Sequence, residues 1–325
     1  MKKIVIDIYG ADCKEKVIVS GIAKAVKAGL DFFPVIVGDN DTVTSVMSQN
    51  GISNDRYTVI HTDKYFENTD PPTAIYGAGD DKSMAIAYEY LKTQEDCVAL
   101  LSAGSTGILL VGSMCRLGLF GSLKFPALCS ALPCAAKDSL LTLVDCGANT
   151  ECTPRDLVRF ALMGSAFAKS MCAIESPRVA LMSVGREEGK GNELTKKAYP
   201  LLKEADINFV GNAEGSDMVT GFADVIVTDG FSGNLLLKAV EAAGKAAMQT
   251  VAEVCDDEKI LEKINTALFS RFDFNSQGAA TFLGTKKTVV KMHGAANADT
   301  VVASIEQILR LEKGGFISKL QEANI

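Results

Sequence analysis

The chain has 325 residues, of which 47% are hydrophobic and 22% are charged. This composition is ordinary for a globular protein, and the length is enough to bury a large core in one domain or in two closely associated lobes. The formal net charge of −7 argues against a nucleic-acid-binding protein, which needs a dense basic surface. Asp7 interrupts the apolar run that a signal peptide would continue, so we expect a cytoplasmic location.

The nine cysteines lie mostly in apolar runs, and no Cys-x-x-Cys motif occurs. This pattern favours reduced core cysteines over a disulfide framework or a zinc site. His61 and His293 are the two histidines, so we do not expect a mechanism that depends on a pair of histidines.

Short apolar runs typical of β-strands alternate with longer helical patterns along the chain. The predicted strands are Ile4–Ile8, Phe33–Val37, Tyr57–His61, Val98–Ser102, Leu141–Cys146, Arg178–Val184, Ile207–Gly211, Val225–Thr228 and Val289–Met292. The predicted helices are Lys16–Ala28, Ser83–Lys92, Pro154–Lys169, Glu193–Lys203, Leu235–Val254 and Ala298–Leu311. This alternation predicts an α/β fold with a mostly parallel sheet covered on both faces by helices.

We expect one domain over residues 1–325, organised as two intimate lobes, because no clean linker interrupts the chain. Thr69–Asp81 is the most loop-like stretch. The charged helix Asp256–Phe269 could form an arm near residues 256–277, a partner surface or a membrane contact, or simply a solvated helix.

Six segments of small and polar residues follow predicted strands just where a helix begins. They are Asp7–Asp12, Ser102–Gly107, Asp145–Asn149, Gly185–Glu193, Asp229–Asn234 and His293–Asn297. Ligands bind at the carboxyl ends of strands in open parallel sheets. We therefore expect the six segments to converge on one edge.

The segment Ser102–Gly107 has the features of an anion-binding loop. Its glycines, including Gly107, allow main-chain N–H groups to face a ligand, and Ser105 and Thr106 add hydroxyl donors. The alternative is an ordinary helix cap, since serine and threonine are common at that position.

The segment Gly185–Glu193 is more specific. Gly185, Gly189 and Gly191 surround Lys190, which can direct its charge at a phosphate or at a developing oxyanion. It is one residue short of a P-loop and lacks the following Ser/Thr, and no dinucleotide-binding glycine pattern occurs in the chain. A mobile, charged surface loop is the alternative.

Three further segments add polar groups. We predict that Ser232 caps a helix, that Asn234 offers an amide donor, and that Asp229 orients Lys190 or acts as a base. His293 is a substrate-binding candidate at a strand end, although a histidine there is more often structural.

The chain resembles the PlsX family of phosphate acyltransferases, also called acyl-ACP:phosphate transacylases, over residues 1–311. The segments that carry the resemblance are Gly185–Ala198, Asp145–Asn149, Met163–Ser165, Asn208–Glu214, Asp229–Asn234 and His293–Ala298. The block Glu187–Lys196 is long enough to be quite specific.

The resemblance implies conversion of acyl-ACP and inorganic phosphate to acyl phosphate and free acyl carrier protein, in phospholipid biosynthesis. It also implies an α/β/α sandwich similar to phosphotransacetylases and to the isocitrate and isopropylmalate dehydrogenases, a homodimer, peripheral association with the membrane, and no metal or organic cofactor. The site it suggests has Lys190, Asn234 and Asp229 as catalytic residues. Its substrate-binding residues are Ser105, Thr106, Gly107, Asn149, Gly189, Gly191, Asn192, Ser232 and His293.

The chain departs from the family pattern in places. Tyr9 and Ala11 replace smaller residues of the first loop, where we expect them to crowd a turn, and Ser105 replaces an asparagine. Lys82 alone remains of a usual basic run, and Lys124-Phe125 precede Pro126 where an arginine is usual. The smaller number of basic residues argues against docking of the carrier protein, because that partner is strongly acidic.

Three alternatives therefore stay open. A divergent relative could phosphorolyse another thioester, such as an acetyl thioester. A dehydrogenase on the same superfold would need the dinucleotide pattern that the chain lacks. A non-catalytic binding or scaffold subunit would account for the altered first loop and the lost basic run.

Overall fold

The computed structural model describes residues 1–12, 14–77, 80–134, 140–272, 278–323 and 325. The chain forms two compact units. Unit 1 comprises Met1–Pro126 and Gly278–Ile325, and unit 2 comprises Ala127–Gln277. Whether they act as a single functional domain stays a prediction.

The strands of the described residues are, in chain order, β1 (Lys2–Asp7), β2 (Phe32–Gly38), β3 (Thr58–His61), β4 (Cys97–Ser102), β5 (Ala127–Pro133), β6 (Leu140–Val144), β7 (Arg178–Met182), β8 (Asn208–Ala213), β9 (Val225–Val227), β10 (Ala280–Leu283) and β11 (Thr288–Lys291). Unit 1 has the strand order β3-β2-β1-β4-β11-β10, and unit 2 has the order β5-β6-β9-β7-β8. In unit 1 all pairs are parallel except β10 with β11. In unit 2 all pairs are parallel except β5 with β6.

The α-helices are α1 (Glu15–Lys27), α2 (Asn40–Gln49), α3 (Ala74–Gly77), α4 (Ser83–Thr93), α5 (Thr106–Gly112), α6 (Pro154–Cys172), α7 (Glu193–Glu204), α8 (Gly230–Val254), α9 (Glu258–Phe272), α10 (Ala298–Lys313) and α11 (Phe316–Glu322). Within the part of the chain that the structure describes, no helix is both long enough and apolar enough to span a bilayer.

The core of unit 1 forms around β1, whose Ile4, Val5 and Ile6 are all fully buried. Consecutive buried residues mean that both faces of the strand are covered, as the apolar run in the sequence predicts. Helix α1 covers one face through Ile18 and Ile22, which are spaced four residues apart on one helical side.

The core of unit 2 is built in the same way around β7 and β9, whose central residues are buried. Helix α6 begins with a capping box in which Thr153 accepts from the Asp156 N–H and Asp156 accepts from the Thr153 N–H. Gly164 of α6 lies directly on the sheet, because an added Cβ would be 2.8 Å from Val144 and Val225 side-chain atoms.

The predicted α/β class with a mostly parallel sheet is confirmed. All nine predicted strands are present with shifted ends, and the two that the sequence analysis missed, β5 and β10, are the two antiparallel ones. Their sequences, ALCSALP and ATFL, are rich in small or polar residues and so lack the dense apolar run of the parallel strands.

Three helical predictions need correction or qualification. Helix α8 begins at Gly230, five residues before the predicted Leu235. The predicted helix of the arm is α9, while residues 273–277 lie outside the described residues. The loop-like stretch Thr69–Asp81 contains the short helix α3, and its residues 78–79 are also outside the described residues.

The contact between α1 and α10 yields a stability prediction at Gly21. A Cβ at this position would lie 2.5 Å from Val301 Cβ and 2.8 Å from the Ala298 carbonyl oxygen. Gly21→Ala should lower the free energy of unfolding by about 1–2 kcal/mol, because overpacking costs about 1–3 kcal/mol and the helix propensity of alanine returns at most about 1 kcal/mol. Urea denaturation measures the change.

The matched control is Ser20→Ala, because the Ser20 hydroxyl donates to the Lys16 carbonyl of the same helix. It should change stability by less than about 0.5 kcal/mol. Equal stability of Gly21→Ala and wild type would contradict the close helix contact.

Candidate functional site

Four loops of unit 2 lie at the same edge of its sheet. Strands β6, β9, β7 and β8 are parallel neighbours, so the loops after Val144, Val227, Met182 and Ala213 all leave from their carboxyl ends. This is the edge at which open parallel sheets bind ligands.

Asp145 organises the first of these loops from a fully buried position. Its carboxylate accepts from the main-chain N–H groups of Leu128 (3.1 Å), Gly147 (3.0 Å), Ala148 (2.9 Å) and Asn149 (2.7 Å). The Asn149 side-chain amide also donates to it, at 2.7 Å. Burial raises the pKa of Asp145, while these donors act in the opposite direction by favouring its charged form. The predicted binding residue Asn149 is thus held in place by a carboxylate.

Asp229 caps helix α8, so the prediction that Ser232 is the cap is wrong. One oxygen of Asp229 accepts from the Ser232 N–H at 2.9 Å, and the other accepts from the Ser232 hydroxyl at 2.8 Å. Aspartate is as good a helix cap as serine, and here it stands three residues earlier in the sequence. Asp229 therefore fixes the start of α8, and its proposed role in orienting Lys190 stays a prediction.

The start of α8 packs main chain against main chain on the Asp145 loop. A Cβ on Gly233 would lie 2.0 Å from the Asp145 carbonyl oxygen, and one on Gly230 would lie 2.7 Å from the Asn149 carbonyl oxygen. The Gly230 N–H also donates to the Asn149 carbonyl at 2.7 Å. No residue with a side chain fits at Gly230 or Gly233 without moving the backbone.

Asn234 lies over the same loop. The position of a Cβ on Gly147 is 3.8 Å from the Asn234 side chain, including its amide oxygen. The structure therefore brings together four of the predicted site residues on two loops: Asn149, Asp229, Ser232 and Asn234.

Lys190 lies on the neighbouring loop, and its side chain is exposed. The position of a Cβ on Gly185 is 3.0 Å from Lys190 Cγ, so glycine there makes room for the lysine stem. Gly189 has open space where a side chain would be. Within the described residues, no carboxylate lies within 4.0 Å of the Lys190 ammonium. Its positive charge is thus available to an anion.

The same loop is anchored to unit 2 at two points. The Asn212 amide donates to the Glu187 carbonyl at 2.8 Å. Arg186 forms an ion pair of 2.6 Å with the buried Asp217 and lies over the Phe222 ring, 4.7 Å from its centroid. These contacts favour an ordered loop over the mobile surface loop that the sequence left open.

Asn192 and Gly191 have structural roles at the start of α7. Asn192 is the N-cap, and its side-chain oxygen accepts from the Thr195 N–H at 2.9 Å. Gly191 has φ +119°, and a Cβ there would lie 2.0 Å from the Thr195 hydroxyl oxygen. Both residues were predicted to bind substrate, and that role stays a prediction beside the structural one.

Unit 1 has its own row of polar residues at the carboxyl edge of its sheet. Asp7 of β1, Ser102 of β4 and Lys291 of β11 are register partners on adjacent parallel strands. Asp7 is buried and accepts from the Ser102 hydroxyl at 2.9 Å and from the Tyr9 N–H at 3.2 Å. The Ser102 oxygen in turn accepts from the Gly104 N–H at 3.0 Å, which fixes the start of the loop that carries Ser105.

Ser105, Thr106 and Gly107 are partly buried at the beginning of α5. Ser105 occupies the cap position, but its side chain makes no capping hydrogen bond. The alternative that this serine is only an ordinary helix cap is therefore not supported by its contacts. Gly107 is required by packing, since a Cβ there would lie 2.7 Å from the Pro72 ring.

His293 follows β11 at the same edge of unit 1, and its side chain is exposed. Its Nδ1 accepts from the Ala295 N–H at 3.1 Å, which shapes the turn before α10. Beside it, the Asp12 N–H donates to the Gly294 carbonyl at 2.8 Å. His293 thus has a local structural role, and substrate binding stays a prediction.

Comparison with known proteins identifies the family. Residues 2–319 match the model of a family described as "Fatty acid synthesis protein". The phosphate acyltransferase of Clostridioides difficile (strain 630) is 35% identical, over 99% of this chain and 98% of its own length. The phosphate acyltransferase of Bacillus subtilis (strain 168) is 34% identical, over 98% of this chain and 97% of its own. The chain belongs to the PlsX family.

The fold comparison agrees. A phosphotransacetylase from Streptococcus pyogenes matches with a TM-score of 0.65 and 16% identity, over 96% of this chain and 94% of that one. At that identity the match concerns the fold alone. The predicted resemblances to the PlsX family and to the phosphotransacetylase fold are both confirmed.

In this PlsX-family chain the prediction that Tyr9 crowds the first turn is wrong, whereas the same prediction for Ala11 stays a prediction. Tyr9 is buried among the core residues of unit 1, and its hydroxyl donates to the Thr62 carbonyl at 3.0 Å. Its ring stacks on Tyr65 with the centroids 4.7 Å apart. The turn itself is made by Gly10 (φ +81°), where a Cβ would lie 2.5 Å from Gly104 Cα.

Three polar residues at these sheet edges were not predicted from the sequence as individual site residues, although the loops beside them were: Asp7, Asp145 and Lys291. The signal that could have found the two aspartates is an acidic residue at the end of an apolar strand, directly before a loop of small residues. A carboxylate there is buried, and it must accept hydrogen bonds to stay there.

Asp7 generates a prediction on pH and stability. Burial raises its pKa to about 6, against the lowering effect of hydrogen bonds from Ser83, Ser102 and the Tyr9 N–H. The folded state thus binds this proton more tightly than the unfolded state, whose Asp7 has the ordinary value of 3.8. The contribution of Asp7 to stability therefore falls as pH rises through both values.

Between pH 4.5 and pH 7.5, wild type should lose about 2 kcal/mol of unfolding free energy more than Asp7→Asn, which has no proton to lose. Urea denaturation at the two pH values measures this difference. Asp31→Asn, at an exposed position, is the control and should keep the wild-type dependence of stability on pH. Identical pH dependence of Asp7→Asn and wild type would show that Asp7 is not the group concerned.

Proposed function

We propose that this chain transfers an acyl group from a thioester to inorganic phosphate. A phosphate oxygen attacks the thioester carbonyl carbon, a C–O bond forms and the C–S bond breaks. The sulfur leaves with the electron pair and takes up a proton, giving acyl phosphate and a free thiol. Phosphate is itself the nucleophile, so the reaction needs no serine, cysteine or histidine nucleophile.

The observation that carries the proposal is the exposed Lys190 at the ligand-binding edge of unit 2 in a chain of the PlsX family, with no carboxylate of the described residues within 4.0 Å of its ammonium. The thioester oxygen becomes an oxyanion as phosphate attacks, and preorganised donors stabilise it. Lys190 supplies a positive charge and Asn234 an amide donor. Both carboxylate oxygens of Asp229 accept hydrogen bonds from Ser232. We therefore propose that Asp229 fixes the start of α8 and so positions Asn234.

In unit 1 we assign phosphate binding to the loop of Ser105, Thr106 and Gly107. The hydroxyl of Ser105 is not used as a helix cap, and the chain before it is fixed through Ser102 and Asp7. Supporting roles in substrate binding are proposed for Asn149, Gly189, Gly191, Asn192, Ser232 and His293.

For the acyl donor we propose acyl carrier protein, with acyl phosphate serving phospholipid synthesis in the cytoplasm. One observation favours a second candidate, a smaller thioester such as an acetyl thioester. Lys82, which alone remains of the family's basic run, is paired with Asp70 at 3.5 Å and lies 4.4 Å from the centroid of the Phe66 ring. That lysine thus already has partners within the protein, which disfavours its use in docking an acidic carrier protein.

The proposal extends to a homodimer that uses α8. This helix has 25 residues, yet only Gly230, Gly233 and Gly244 are buried within it. Phe231 and Leu235 are 59% and 55% exposed. Large exposed apolar side chains on one helix are typical of a protein interface. Peripheral contact of α9 with a membrane rests on the family resemblance.

The first test is a direct assay for the product. Incubation with a long-chain acyl-ACP and inorganic phosphate should yield acyl phosphate, which hydroxylamine traps as a hydroxamate. Release of thiol should require phosphate. Parallel assays with acyl-CoA and acetyl thioesters identify the donor. Absence of hydroxamate with every thioester would contradict the proposal and favour a non-catalytic subunit, and NAD binding by calorimetry would favour a dehydrogenase.

The second test concerns Lys190. Lys190→Ala should lower kcat by about 100-fold or more while the protein stays folded, because one oxyanion donor contributes about 10²–10³ in rate. The control is Lys197→Ala, since Lys197 is exposed on α7 and pairs with Glu193 of the same helix at 3.0 Å. Unchanged turnover of Lys190→Ala would remove this lysine from the mechanism.

A further inference from the structure

Lys291 is a charged residue that neither the motif analysis nor the family resemblance assigned. It is the last residue of β11, beside Ser102 of β4. Its side chain is partly buried, and its ammonium donates to the main-chain carbonyls of Met292 and, at 3.4 Å, of Ala103. The Ala103 carbonyl belongs to the same loop as Ser105 and Thr106.

In the part of the chain that the structure describes, no carboxylate pairs directly with the Lys291 ammonium. The Asp12 carboxylate raises the pKa of Lys291 through its charge, without forming an ion pair with the ammonium. Burial lowers the pKa of Lys291 to about 8, with the Asp12 charge acting in the opposite direction. A partly desolvated cation that contacts only neutral carbonyls is stabilised when an anion arrives.

A lysine directly before the same strand provides the comparison. Lys287, before the start of β11, also donates to two carbonyls, those of Cys97 at 2.9 Å and Gln94 at 3.4 Å. It lies at the amino end of the parallel strands, whereas Lys291 lies at the carboxyl end, where ligands bind. Each lysine thus donates to two main-chain carbonyls, and the two differ in their position relative to the candidate site.

We propose that Lys291 binds the inorganic phosphate substrate in unit 1, together with the hydroxyl groups of Ser105 and Thr106. This inference rests on the proposed function and names the cation of its phosphate subsite. Lysine binds phosphate as a compact point charge, and three protons on its nitrogen allow an anion contact beside the two carbonyl contacts.

Binding through Lys291 makes the affinity for phosphate depend on pH. Above about pH 8 free Lys291 loses its proton, so the affinity for phosphate falls on the alkaline side. The other titratable groups near this strand end are engaged elsewhere. The Asp7 carboxylate accepts from Tyr9 and Ser102, and the His293 Nδ1 accepts from the Ala295 N–H.

The main experiment measures steady-state kinetics with phosphate and acyl thioester varied in turn. Lys291→Met should raise the KM for phosphate by about tenfold or more, since a charge-assisted contact is lost, and should leave the KM for the thioester within about twofold. Lys287→Met is the matched control and should keep both values. An unchanged KM for phosphate in Lys291→Met would overturn the proposal.

Two charge variants separate binding from a merely structural role. Lys291→Arg keeps a positive charge at all accessible pH values, so the alkaline fall in kcat/KM for phosphate near pH 8 should disappear. Asp12→Asn removes the carboxylate that raises the pKa of Lys291, so the fall should move to lower pH. A wild-type profile in both variants would contradict the assignment.

Direct calorimetry with inorganic phosphate distinguishes failure of this inference from failure of the proposed function. Wild type and Lys287→Met should bind phosphate, and folded Lys291→Met should bind it at least about tenfold more weakly. This result would support the subsite even if no thioester were a substrate. Lack of phosphate binding by wild type, or equal binding by Lys291→Met, would reject it.

Discussion

Buried carboxylates hold the main chain of the strand-end loops, and the rest of the site depends on them. In unit 2 the Asp145 carboxylate accepts hydrogen bonds from four main-chain N–H groups and from the Asn149 side-chain amide. In unit 1 Asp7 accepts from Ser102, which accepts from Gly104. A carboxylate without such donors could not remain charged in the core, and without the carboxylate the loop N–H groups would lose the acceptor that holds them at the sheet edge. Each therefore requires the other.

This constraint explains why glycines are concentrated beside the two aspartates. Once Asp145 has drawn its loop into the sheet edge, the start of α8 must approach that loop closely, and Gly230 and Gly233 permit main-chain contact. Gly10 does the same against Gly104 in unit 1. The glycines are thus explained by close packing, while the groups that we propose to face the ligand are side chains such as Lys190 and Asn234.

The sequence predicted the parallel strands and the loops between them because both have strong local signals. Dense apolar runs mark strands that are buried on both faces, and small residues after them mark the turns. The antiparallel β5 and β10 lack such runs and were missed. At the site, Ser232 was assigned the cap because local rules favour serine and aspartate alike, and which of them caps α8 depends on where the helix begins. The pairing of Asp145 with Asn149, and that of Arg186 with Asp217, 31 residues apart, depend on the folded chain.

The electrostatics of the site suit a reaction in which protein charges position the reacting oxygens and no protein side chain serves as the nucleophile. Lys190 and Lys291 are both without a carboxylate within 4.0 Å in the described part of the chain, although the protein as a whole is acidic. Burial lowers the pKa of Lys291, so this lysine holds its charge only weakly. An anion bound beside Lys291 would therefore gain more from the contact than one bound at the surface, because fewer waters compete for the charge. The burial that makes it costly to keep a lysine charged thus also makes that lysine selective for a small, highly charged ligand.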